Sequence, residues 1–166
     1  DAMIEALDIL LEDAMNDKAL TVEEIGEILG KADFAAHQSE AEERYGDTDD
    51  WRESRVRTAS WQAADWRQNA ERFQDIECRM IDAICDGAAP DSERAAGLVE
   101  EHREALSEFF PVTPAKHYIM SRGYIHDERF REHYDSQQVG FAQWLADAIE
   151  AVVRQQGVDL ESPTWE

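Results

Sequence analysis

The sequence predicts an all-α protein. Long stretches repeat apolar residues every three or four positions, and cap-forming side chains open these stretches while Gly and Pro close them. No segment alternates apolar and polar residues between hairpin turns, so no sheet is expected. With 166 residues, 43% of them hydrophobic, the chain is long enough to bury the core of one ordinary domain with short end segments.

Taken in order, Ile4, Leu7, Leu11 and Ala14 form a three-and-four seam, which suits the end of a coiled coil or core packing within one chain. Thr21 followed by Glu24 is a capping box that opens a short helix, and Gly30 can close it. Between Lys31 and Arg44 the only large apolar side chain is Phe34. Little burial offsets the ordering entropy there, so the segment is expected to be loosely held without a ligand. A long helix from Trp66 to Cys85 places Phe73, Ile76, Met80 and Ile84 on one face and ends at Gly87 and Pro90.

Asp91 or Ser92 can cap the next helix, where Ala95, Leu98, Val99, His102, Leu106 and Phe109 repeat at helical spacing until Pro111 and Pro114 intervene. A helix near Ala115 to Tyr124 and a helical turn from Glu128 to Tyr134 follow. Phe141, Leu145, Ala148, Ile149 and Val152 then mark the stripe of a final helix, and Gly157 to Glu166 read as a flexible tail despite Trp165.

The formal net charge of −22, from 38 acidic against 16 basic residues, repels nucleic-acid phosphates and anionic lipid headgroups. Most of these carboxylates suit a solvated helical surface; a cationic ligand is the other reading. No apolar run approaches the roughly 18 residues of a membrane span, and no signal peptide opens the chain, so a cytoplasmic protein is expected. Cys78 and Cys85 lie seven apart on one predicted helix. Their Cα atoms would be roughly 10.5 Å apart along its axis, too far for a disulfide, so both are expected to be reduced. The first residue is Asp1, not methionine, which suggests a piece of something longer.

Enzymatic readings find little support. The five histidines, His37, His102, His117, His126 and His133, come with no HExxH motif, no metal-type CxxC pair and no Glu-x-x-His pair, so no metal and no cofactor is expected. There is no phosphate-cradling glycine loop and no GxSxG elbow. His102, on an apolar helix face, reads as a hydrogen-bonded core or cavity-lining residue, and no catalytic residue is assigned.

Two blocks stand out. The stretch YGDTDDWRESRVRTASWQAADW, Tyr45 to Trp66, concentrates tryptophans, arginines and cap residues, and HYIMSRGYIHDERFREHYD, His117 to Asp135, concentrates aromatics and histidines. At Tyr45, Gly46, Asp47, Trp51, Ser54, Arg57, Thr58, Trp61, Asp65 and Trp66, at His102 and Arg103, and at His117, Tyr124, Asp127, Arg129, Phe130, Tyr134 and Asp135, the chain resembles the effector-binding domain of TipA-like regulators of the MerR family. The likeness runs from about Thr21 to about Val153.

That resemblance implies a globin-like helical bundle enclosing a ligand cleft without haem. Residues 1–20 would then be the tail of a coiled-coil or dimerisation linker helix, residues 21–156 the ligand-binding domain and residues 157–166 the tail. It further implies a small-molecule or peptide antibiotic as ligand, DNA contact only through a separate N-terminal domain, and a homodimer in the full-length protein. A stand-alone protein that sequesters drug in the same cleft is the alternative.

The large apolar surfaces and few polar tips of Trp51, Trp61, Phe73, Phe109, Phe110, Tyr118, Met120 and Tyr124 suit a bulky, rigid, partly aromatic molecule, or ordinary core packing. His117 matches a family position near the cleft, so His102 and His117 complete the candidate site together with Arg57. Arg52, Arg55 and Arg57 form a cationic strip that can pair with Asp47, Asp49 or Glu53, and Arg57 can instead fix a loop. Some family members trap thiopeptides through a cysteine near the position of His117. Here Phe109 to Met120 contains none, and FPVTPA departs from the family pattern, so noncovalent binding is expected.

Overall fold

In the computed structural model of the chain, residues 20–31 and 33–166 are described. They form eight helices and no strands, as the periodicity predicts. The seam from Ile4 to Ala14 lies outside the described residues. The chain divides into two compact units, with the boundary between Ala70 and Glu71. A single domain was the sequence-based expectation. The division falls within a continuous helix, where no change of composition marks it.

In the first unit α1 (Val22–Leu29) is opened by the reciprocal Thr21–Glu24 capping box and closed by Gly30 at φ 66°, a left-handed conformation that favours glycine. Gly26 lets α2 approach: a Cβ there would stand 3.0 Å from the Lys31 carbonyl and 3.2 Å from the Phe34 Cβ. Helix α2 (Phe34–Tyr45) occupies the segment read from sequence as loosely held, yet buries none of its residues. Exposed ion pairs at helical spacing, such as Arg44 with Glu40 at 3.1 Å, accompany it. Thr48 then caps α3 (Asp49–Thr58), accepting from the Trp51 N–H at 3.2 Å.

The helix α4 (Ala63–Cys85) starts where the Asp65 carboxylate accepts from the Gln62 N–H at 2.8 Å. In the second unit Ser92, one of the two predicted caps, opens α5 (Glu93–Leu106), and Thr113 opens α6 (Pro114–His126), with Pro114 in the first turn where its missing N–H costs nothing. Asp127 caps α7 (Glu128–Asp135). Gly140, at φ 81°, precedes α8 (Phe141–Gln155) and offers no side-chain cap. The Asp135 carboxylate fills that role from α7, accepting from the Ala142 N–H at 3.0 Å.

Helix α8 packs on α5, α6 and α7 and carries the centre of the core: Phe141, Leu145, Ala148 and Ile149 are fully buried. Ile76 and Met80 of α4 and Val99 of α5 meet them in the same cluster. Each large side chain so buried contributes about 1.5–3 kcal/mol. Trp144 adds a polar tie, its indole N–H donating to the Ala88 carbonyl at 3.0 Å. The tail from 157 to 166 has no helix. Val158 and Leu160 pack against the core, and the Thr113 hydroxyl donates to the Glu166 carbonyl at 2.5 Å.

Candidate functional site

The apolar face of α5 that includes Leu98 and Val99 continues to His102, and α6 brings His117 against it. Both rings are 1% exposed, and Nδ1 of His102 lies 2.9 Å from Nε2 of His117. One ring donates and the other accepts, so the bond requires complementary tautomers. Burial pushes the His102 imidazole down to about 4, the Glu77 carboxylate opposing it only in part. His117 is held well below its ordinary value by burial, then by His102 and the Arg103 guanidinium. Both are neutral at neutral pH.

Aromatic rings enclose the pair. Phe73 and Tyr124 meet the His102 ring edge-on, at centroid distances of 5.8 and 6.1 Å. Tyr124 packs on Tyr134 at 5.3 Å, and the two phenols share a hydrogen bond. Burial raises both phenols, so they stay protonated and act as hydrogen-bonding groups. Beyond them lies Glu77, a buried carboxylate 3.1 Å from Nε2 of His133 and accepting from the Gln137 amide at 3.2 Å. Burial alone would raise this carboxyl. The hydrogen bond and charge of His133, with help from Gln137 and His102, outweigh burial and lower it.

The structure thus gathers Phe73, His102, His117 and Tyr124 around one centre in the second unit. Tyr118 is buried with the Arg122 guanidinium 4.6 Å over its ring, and Met120 packs partly buried against the same core. Phe109 and Phe110 stand half-buried in the turn between α5 and α6. Trp51, Arg57 and Trp61 belong to the first unit. There the Arg57 guanidinium donates to Glu53 at 2.8 Å and Trp61 meets Trp66 edge-on at 4.8 Å.

Glu77, His133, Tyr134 and Lys116 were not singled out as site residues from sequence. Glu77 did leave a signal: four residues after Phe73 and three before Met80, it is a carboxylate set into an apolar helical stripe. Chemically the cluster offers neutral donors, acceptors and ring edges beside one buried carboxylate, Glu77. Among the described residues no group of three or more His, Cys, Asp or Glu side chains could hold a metal ion. Cys78 and Cys85 are free thiols, both exposed. A surface recess of about 300 Å³ between α4 and α5 is lined mainly by charged residues such as Asp82, Glu93 and Arg94 and contains none of the aromatic candidates.

Residues 37–152 match the TipAS antibiotic-recognition domain. The chain belongs to the TipAS family. The HTH-type transcriptional activators TipA of Streptomyces coelicolor and Streptomyces lividans are each 31% identical to it over 131 residues, covering 78% of this chain and 52% of theirs. The chain therefore spans about half the length of the curated relatives it matches. The solved structure of TipAS from Streptomyces lividans in complex with nosiheptide, described as part of a thiopeptide antibiotic multidrug resistance system, matches with a TM-score of 0.72 at 32% identity. That match covers 82% of this chain and 96% of the other, and it carries the all-α, globin-like fold class expected from sequence. In the turn between α5 and α6, the Pro111 carbonyl accepts from the Lys116 ammonium at 3.1 Å.

Proposed function

We propose that this TipAS-family chain is the antibiotic-binding part of a transcription regulator of the TipA kind, capturing a bulky thiopeptide-like or other large heterocyclic molecule without covalent change. The match to TipAS solved with nosiheptide carries this reading. The buried cluster of neutral histidines, phenols and ring edges supports it, since such groups bind a polar-tipped aromatic ligand while no nucleophile or metal constellation stands among them. The ligand-contacting set in this proposal is Trp51, Arg57, Trp61, Phe73, His102, Phe109, Phe110, His117, Tyr118, Met120 and Tyr124, and no catalytic step is assigned to it.

A net charge of −22 makes this chain a poor DNA ligand by itself. The likeness to the HTH-type activator TipA supports DNA contact through a separate N-terminal domain, with residues 1–20 as the linker, in a cytoplasmic homodimer. No described helix is long and apolar enough to cross a membrane. Ligand can shift such a regulator only by binding one of its states more tightly. Helix α2, which buries none of its residues, is the proposed responsive element.

The test is a tryptophan-fluorescence titration with nosiheptide, paired with intact-mass measurement and hydrogen exchange. Saturable quenching, unchanged mass and new protection across α2 are expected. No saturable change would sink the ligand class, and a mass gain would move the chemistry to Cys78 or Cys85. The second reading, sequestration by a stand-alone protein, uses the same cleft; ligand-dependent promoter binding by the full-length protein separates the two.

A further inference from the structure

The tail supplies a contact that the antibiotic-binding reading does not use. Trp165 lies against Phe110, ring centroids 6.3 Å apart and planes 36° from parallel. The Lys116 ammonium stands over both rings, 5.5 Å from the Trp165 centroid and 5.8 Å from that of Phe110. Lys116 is only 7% exposed and donates to the Pro111 carbonyl, so its charge is fixed in place as the α6 cap positions it. A buried ammonium beside an aromatic wall is a receptor for the electron-rich face of a flat ring, for which an indole is the strongest natural partner.

The occupant is partly open to solvent. Trp165 keeps 44% of its surface exposed, and its backbone lies outside any helix or strand. Phe110 is one of the ligand contacts proposed above. A group resting on Phe110 and a ligand seeking Phe110 compete for the same surface.

We propose that Phe110 and Lys116 form a subsite for one flat heteroaromatic ring of the ligand, and that Trp165 fills it as an internal surrogate that the incoming ring displaces. The displacement half rests on the antibiotic-binding function proposed above. Filling the subsite from within lowers apparent affinity by the fraction of molecules whose subsite is open, so removing the indole tightens binding by about two- to tenfold.

The experiment uses two probes on the full chain and on Trp165→Ala. N-acetyltryptophanamide, followed by NMR, should shift the side-chain signals of Phe110 and Lys116 saturably in Trp165→Ala, and at higher concentration in the parent. No saturable shift in the variant overturns the subsite, and equal titrations in the two proteins overturn the surrogate. Nosiheptide, followed by calorimetry, should bind Trp165→Ala more tightly. Weaker or equal binding means that the indole is a ligand contact or a bystander and overturns the displacement. If nosiheptide binds neither protein, the antibiotic-binding reading falls, while the N-acetyltryptophanamide titrations still decide the subsite and its occupant.

Discussion

Helix α3 buries none of its 10 residues, whereas α8 buries nine of its 15. The first is supported locally: Thr48 caps it, Asp49 and Asp50 face the positive end of its dipole, and Arg55 and Arg57 face the negative end. The second has no side-chain cap of its own from Gly140 and relies on burial of Phe141, Leu145 and Ile149. Local devices contribute about 1 kcal/mol or less each, and a buried ring or branched chain about twice that or more. One chain therefore contains helices whose stability comes from different sources, and the charge-balanced, tryptophan-bearing α3 lies at the weaker end.

Breaking the strong side should have the largest effect. Phe141→Ala removes a fully buried ring that touches Tyr134 at 5.1 Å, and should cost about 3–5 kcal/mol in chemical denaturation. A loss below about 1 kcal/mol would contradict the packing described for α8.

A smaller effect should come from acid acting on the polar part of the same core. His102 and His117 take up protons less readily when folded than the ordinary value of 6.5. Their contribution is thus complete above pH 6.5 and is lost as the pH falls toward about 4, because the unfolded chain binds protons first. The lowered Glu77 carboxyl adds loss of the same sign below its ordinary value of 4.5. His102 by itself should account for a drop of about 2 kcal/mol between pH 7 and pH 5, and His102→Gln should flatten the slope by that share. An unchanged slope in the variant would show that the pair does not stay neutral.

The smallest effect sharpens the contrast from the other side. Thr48→Ala removes the cap of α3 and should cost about 1 kcal/mol, read as roughly fivefold faster hydrogen exchange at the first amides of that helix. Exchange as slow as in the parent would mean that α3 does not depend on its cap.

The contrast also explains what could be read from sequence. The stripes of α5 and α8 and the capping box of α1 were legible because burial and capping leave fixed spacings. Helix α2 was not, since only Phe34 offered a large apolar side chain and its ion pairs resemble those of any acidic surface segment. His102 was legible as a residue on an apolar face. Its bond to His117 depends on how α5 meets α6, which no local pattern records. The subdivision near Ala70 was hidden for a related reason: α4 runs through it without interruption.

The Thr113 hydroxyl accepts from the Lys116 N–H at 3.2 Å and donates to the Glu166 carbonyl at 2.5 Å. Many side chains serve as helix caps elsewhere, but this position demands an atom that gives and receives at once. An ionised aspartate only receives, and valine does neither. Of the good capping residues, serine alone reproduces both directions from a single oxygen. The repertoire tolerated at residue 113 should therefore be narrower than that at Thr21 or Ser92, and losing the hydroxyl should loosen the start of α6 and the end of the chain in one step.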